Sequence, residues 1–182
     1  MIWDLRGMPI VKCNKREAVT GKPGMSEDAI KYILIVEDSP IDYEIVTRAL
    51  DKAGINVPVK RCVTGDEAII LLQTIMFHDA VSQQVVEISK DGIDDCMPFL
   101  VLLDLNLPGV DGRAVLEFIK TNRETAHIPV IIFSTSANER DIDDCYDLGA
   151  NCYLQKPTSP DDYTSLISAL GEFWFKHVIY KQ

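Results

Sequence analysis

Four places in the sequence set acidic, hydroxyl or ammonium side chains directly after short apolar runs: Glu37 and Asp38 after Tyr-Ile-Leu-Ile-Val, Asp104 after Phe-Leu-Val-Leu-Leu, Ser134 and Thr135 after Pro-Val-Ile-Ile-Phe, and Lys156 after Cys-Tyr-Leu-Gln. Carboxylates gathered in one place repel, and gathering them is reasonable only where a hard cation neutralises them; an oxygen-only set with room for water favours Mg²⁺. Glu37, Asp38 and Asp104 are the metal candidates, with the backbone carbonyl of Asn106 as a fourth donor. An Asp beside bound Mg²⁺ stays ionised and can attack phosphorus through oxygen while the metal offsets charge on the transferring group. Lys156 can pair with one phosphoryl oxygen and the Ser134 hydroxyl can donate to another, so both can sense whether Asp104 is modified. Each residue alone also has an ordinary reading. The acids can be helix N-terminal residues that complement the dipole, Ser134 or Thr135 an N-cap, and Lys156 a solvated loop lysine.

The joint pattern needs elements that bring these residues together. Residues 32–36 are the kind of unbroken apolar run that a parallel sheet buries on both faces. Ser39 as N-cap, Pro40 at the first helical position, a stripe of Ile41, Ile45, Ala49, Leu50 and Ala53, and the stop Gly54 predict a helix directly after it. The unit repeats in kind. Strands are predicted at 59–63, 99–103, 130–133 and 152–154. Helices are predicted from Asp66 (Ala68, Ile69, Leu72, Ile75 and Met76 inward), over 112–123 (Val115, Phe118 and Ile119 inward), over 138–148 before the stop Gly149, and from Asp161 (Tyr163, Leu166, Ile167, Leu170 and Trp174 inward). This alternation implies right-handed crossovers and a doubly wound α/β domain on a five-stranded parallel sheet. In such sheets ligands bind outside the carboxyl ends of the strands, where all the residues above stand.

Length and composition bound the rest. The chain has 182 residues, 47% of them hydrophobic, enough for one domain with a core. A net charge of -10 repels phosphate backbones and anionic lipid, so no nucleic-acid partner is expected. No apolar stretch approaches a membrane span and the N-terminus lacks a signal-peptide core, so no membrane association and a cytoplasmic location are expected. Five cysteines (Cys13, Cys62, Cys96, Cys145, Cys152) without a C-x-x-C pair suggest reduced thiols, mostly filling the core. His78, His127 and His177 are scattered, and none has ligand spacing to another His or Cys. Residues 1–24 lack apolar periodicity and end in Gly-Lys-Pro-Gly, which suggests a poorly ordered extension. The polar stretch 77–98 exceeds a usual connection and suggests an extended helix plus a loop insertion.

These motifs resemble those of response-regulator receiver domains of two-component signalling. The resemblance is carried by Ile-Val-Glu-Asp-Ser-Pro at 35–40, Leu-Leu-Asp-Leu-Asn-Leu-Pro-Gly at 102–109 with Asp111-Gly112, Pro-Val-Ile-Ile-Phe-Ser-Thr-Ser at 129–136 and Tyr-Leu-Gln-Lys-Pro at 153–157. It implies the flavodoxin-like (βα)5 receiver fold over residues 30–178, with Asp104 as phosphoacceptor, Glu37 and Asp38 as acidic metal pair, Ser134 as hydroxyl switch, Tyr153 as aromatic switch and Lys156 as the family's lysine. Thr135 stands where the family usually has a small residue. The resemblance also implies a cis Lys156-Pro157 peptide. The chain is then a phosphoacceptor for a histidine kinase, with at most slow autodephosphorylation, rather than an enzyme. Within the family, the long segment before Phe99, Asn-Cys-Tyr-Leu at 151–154 and Glu-Phe-Trp-Phe at 172–175 resemble the small regulators of cyanobacterial phytochromes. That implies a phytochrome-type kinase as partner and a homodimer through the C-terminal face.

Other readings are weaker on the residues. A haloacid-dehalogenase-type phosphatase needs a second Asp two residues after the nucleophile, and Asn106 cannot protonate a leaving group. A flavin-binding module needs a phosphate loop where Glu37 and Asp38 stand. A receiver-like module that binds partners without phosphorylation is opposed by the intact Asp38, Asp104, Ser134 and Lys156. The motifs run close to the C-terminus, so no helix-turn-helix output is expected and signalling should proceed by protein contact, to a target the sequence leaves unnamed. Met25 resembles a translation start in its own right. Residues 171–182 are read as an aromatic helical extension, in which Phe173, Trp174 and Phe175 cannot all be buried by one surface.

Overall fold

The computed structural model describes residues 32–82 and 97–178. Five short strands, β1 (Ile33–Val36), β2 (Val59–Cys62), β3 (Leu100–Leu103), β4 (Val130–Ser134) and β5 (Cys152–Gln155), alternate with helices α1 (Pro40–Lys52), α2 (Gly65–Ser82), α3 (Gly112–Thr121), α4 (Glu139–Asp147) and α5 (Pro160–Glu172). All strand pairs are parallel, in the order β2-β1-β3-β4-β5. The doubly wound flavodoxin-like receiver fold expected from the motifs is the fold observed.

The period of two along each strand divides the core into two layers. Leu34, Val36, Val101, Leu103, Val130 and Ile132 pack against Ala68 and Leu72 of α2, Val115, Leu116 and Ile119 of α3 and Cys145 of α4. Ile33, Ile35, Leu100, Leu102, Ile131 and Phe133 pack against Val46, Ala49 and Leu50 of α1 and Tyr163 and Ile167 of α5. Helix starts follow local chemistry: Ser39, Asp111, Asn138 and Ser159 each accept a main-chain N–H with the side chain as N-caps of α1, α3, α4 and α5.

Several expectations need correction. Ile41 is exposed rather than part of the buried stripe of α1, which is Val46, Ala49 and Leu50. In α3 Leu116 is fully buried and Phe118 only partly so. The Lys156-Pro157 peptide is trans, because no cis bond occurs among the described residues; trans is the form that an X-Pro bond favours by about 0.5–1 kcal/mol. Helix α2 runs to Ser82, while the loop expected after it, the extension 1–24 and residues 179–182 lie outside the described residues. At the C-terminus α5 passes into a π-helical turn, Phe173–His177, closed by the Val178 N–H donating to the Phe173 carbonyl at 3.2 Å. Cys62 and Cys145 are buried and Cys152 half-buried, all as free thiols.

Candidate functional site

The topology puts the acidic residues at the switch point of the sheet, where β1 leads to β2 on one side and β3 lies on the other. Val36 pairs with Leu103, so Glu37 and Asp104 leave adjacent strands at the same level. The ladder continues past both ends: the Asp104 N–H donates to the Val36 carbonyl at 3.0 Å and the Glu37 N–H to that of Cys62 at 3.0 Å. Further along the edge the Lys156 N–H donates to the Ser134 carbonyl at 2.8 Å. Four strands, β1, β3, β4 and β5, thus deliver polar side chains into one buried place: Glu37, Asp104, Ser134 and Lys156 are all buried, while Asp38 and Asn106 are exposed.

The Lys156 ammonium is the centre of the arrangement. Its three N–H groups donate to Glu37 Oε2 at 2.6 Å, Asp104 Oδ2 at 2.8 Å and Asp42 Oδ2 at 2.9 Å. Burial disfavours its charge, but the hydrogen bonds to Asp104, Glu37 and Asp42 outweigh burial and hold it above the ordinary lysine value. For Glu37 the balance falls the other way, since burial raises its carboxyl above the ordinary value despite the pairing with Lys156. The remaining oxygens are also engaged: Glu37 Oε1 accepts from the Ser39 N–H at 3.1 Å and Asp104 Oδ1 from the Asn106 N–H at 3.3 Å.

Two features that fix this geometry were not apparent in the sequence. Arg61 of β2 donates from Nε to the Glu37 carbonyl at 3.0 Å and from Nη2 to the Asp38 carbonyl at 2.9 Å, with its guanidinium 4.8 Å from the centre of the Tyr43 ring. Gly112 lets α3 start against the phosphoacceptor candidate's own backbone, for a Cβ there would stand 2.2 Å from the Asp104 carbonyl oxygen. Asp42 is the third residue missed. It lies one helical turn before Val46, on the same face as the buried stripe, and that spacing was the signal that could have found it.

On the β4 side, the buried Ser134 Oγ accepts from the Ser136 N–H at 3.4 Å, and Ser136 Oγ donates to Asp141 Oδ2 at 2.6 Å. Arg113 of α3 ties Asp141 of α4, at 2.6 Å, to Asp111, at 3.0 Å. The partly buried Tyr153 donates its hydroxyl to the Ser136 carbonyl at 2.9 Å. Ser134 and Tyr153 therefore meet the same loop, whereas Thr135 is exposed beside it.

Whether a divalent cation fits can be judged from the donors. Glu37, Asp38 and Asp104 each offer one carboxylate oxygen, and these atoms lie within 4.8 Å of one another. An all-oxygen set of that size suits a hard cation, and the Lys156 ammonium already supplies the positive charge such crowding requires. The family model for the response regulator receiver domain matches residues 33–168. The chain belongs to the response regulator receiver family. Response regulator Rcp1 of Synechocystis sp. is 36% identical over 148 residues, covering 81% of this chain and 91% of Rcp1. Among solved structures, the phosphorylated cyanobacterial phytochrome response regulator RcpA superposes with a TM-score of 0.71 at 32% identity, covering 85% of this receiver and 100% of RcpA. The Mn²⁺-bound form of Rcp1 superposes with a TM-score of 0.70 at 34% identity, covering 84% of this receiver and 99% of Rcp1. This response regulator is thus of the Rcp1 type. No DNA-binding domain is seen among its described residues, and no helix there is long and apolar enough to cross a membrane.

Proposed function

We propose that this receiver accepts a phosphoryl group on Asp104 from the phosphohistidine of a histidine kinase, and signals by contact with other proteins in the cytoplasm. The observation that carries the reading is the buried Lys156 ammonium held 2.8 Å from Asp104 beside a carboxylate cluster of metal-binding dimensions. An Asp104 carboxylate oxygen attacks phosphorus, the P–O bond of an acyl phosphate forms as the P–N bond breaks, and the imidazole leaves and is protonated by solvent. Glu37, Asp38 and Asp104, with the Asn106 carbonyl, would hold Mg²⁺, which supplies charge neutralisation for the transferring oxygens. Lys156 exchanges its contact with Asp104 for one to a phosphoryl oxygen, and the Ser134 hydroxyl donates to another. Since Ser136 bonds both Ser134 and Tyr153, a shift of Ser134 reaches the Tyr153 ring and α4 through one loop.

Similarity to RcpA and Rcp1 supports a phytochrome-type kinase as donor. The exposed Phe173 supports a homodimer through the C-terminal face. Residues 1–24 lie outside every motif and are assigned no part in the chemistry. The test is intact-mass measurement after incubation with a small-molecule phosphodonor, with and without Mg²⁺. The protein should gain one phosphoryl group only when Mg²⁺ is present, and Asp104→Asn should gain none. Full labelling of that variant, or labelling indifferent to chelator, overturns the reading.

A further inference from the structure

Lys156 uses all three of its N–H groups, and two of the acceptors, Glu37 and Asp104, belong to the carboxylate cluster that a divalent cation would use. Both oxygens of each of these two carboxylates are already bonded. A cation entering there shares those carboxylates with the ammonium and weakens its hold on them, while the lysine side chain is only 2% exposed and cannot turn to water instead. The third acceptor differs from the other two. Asp42 projects from the first turn of α1, is outside the cluster, and has a side chain 25% exposed.

We propose that Asp42 is a positioning residue that retains the Lys156 ammonium when a divalent cation draws on Glu37 and Asp104. This rests on the reading of Glu37, Asp38 and Asp104 as the cation's ligands. Asp42 gives the lysine a charged partner that the cation does not compete for, so the cation can bind without stranding a buried positive charge. Without that partner the ammonium leans wholly on the two carboxylates the cation needs, and the two cations compete for the same negative charge. Asp42 also keeps Lys156 close to Asp104, where a phosphoryl oxygen would arrive. The expected sign is therefore weaker cation binding on removing the carboxylate, although Asp42 is not itself a ligand.

The experiment is Mn²⁺ titration of the full chain, with free aqua-Mn²⁺ read by electron paramagnetic resonance, for wild type, Asp42→Asn, Lys156→Met and the double variant. Asp42→Asn should bind about tenfold more weakly, the factor that about 1.4 kcal/mol produces. In the Lys156→Met background the same substitution should have almost no effect, because the partner it acts through is gone. An Asp42→Asn variant that binds as tightly as wild type, or more tightly, overturns the proposal, as does a loss that persists undiminished in Lys156→Met. Wild type that fails to bind Mn²⁺ overturns both this proposal and the assignment of the cluster. Should Lys156→Met not fold, the ratio between wild type and Asp42→Asn at low and high KCl decides. A contact with a buried ammonium keeps the ratio, whereas a through-solvent charge effect shrinks as salt screens it.

Discussion

At the scale of residues, the site is a balance between burial and pairing, and the balance predicts how variants behave. Among the described residues Arg61 pairs with no carboxylate; it holds the main-chain carbonyls of Glu37 and Asp38, so it fixes where the acidic pair begins. Arg61→Met should keep the stem that packs by Tyr43 but lose both bonds, costing about 1–3 kcal/mol in chemical denaturation and weakening Mn²⁺ binding several-fold. Unchanged binding would show that Ser39 and the strand ladder suffice. Glu37 predicts a pH dependence. Its carboxyl is raised by burial, so the folded state binds that proton more tightly than the unfolded chain, whose value is near 4.5. The charged form therefore weakens the fold near neutral pH, and this weakening is relieved as pH falls through the folded value toward 4.5. Without metal, the stability of wild type minus that of Glu37→Gln should rise as pH is lowered across that window; a flat difference curve would contradict it. The catalytic candidates were legible because they end apolar runs. Asp42 was not, because the stripe of α1 was read through Ile41, Ile45, Ala49, Leu50 and Ala53 and left out Val46, the buried residue one turn after Asp42. Arg61 was hidden for another reason: it acts on carbonyls, and no side-chain pattern marks that.

At the scale of elements, the alternation of short apolar runs with capped amphipathic segments was enough to find all five strands and five helices, because each signal is local. Gly54 and Gly149 stop helices as expected, with positive φ of 71° and 95°. What local signals could not reveal was close approach between elements. Gly112 reads from sequence as an ordinary first helical residue, yet its neighbour in space is the backbone of Asp104 and Leu105, which cannot yield as a flexible side chain would. Gly112→Ala should therefore push α3 away from the end of β3. The expected loss is about 1–3 kcal/mol of stability in urea, together with slower phosphoryl uptake at Asp104; a variant equal to wild type in both would show that the helix start is not held against this strand. The π-helical turn was equally invisible, because a helix one residue wider in its last turn carries the same residue types as a regular one.

At the scale of the whole molecule, the proposed homodimer depends on how the C-terminal aromatics are placed. Sequence required that one of the three stay out of the core, without saying which. Trp174 and Phe175 pack on the layer that contains α1 and α5, with the Phe175 ring edge-on to Phe99 at 5.3 Å, while Phe173 is 56% exposed and touches Trp174 edge-on at 5.6 Å. The proposed homodimer therefore has Phe173 as its apolar anchor, since an exposed aromatic desolvated by a partner is the usual source of binding energy at such a surface. Each copy carries a formal charge of -10, so like charge opposes association and salt should relieve the opposition. Sedimentation at micromolar concentration should show a dimer for wild type, tightening as KCl is raised, and a monomer for Phe173→Glu whose melting temperature is unchanged. Phe175→Glu is the contrasting control. It removes a ring packed against Phe99 and should lower stability by about 3 kcal/mol, so a monomer there would report damage to the fold and not to an interface. A wild-type monomer, or a Phe173→Glu dimer as tight as wild type, would remove this face from the assembly.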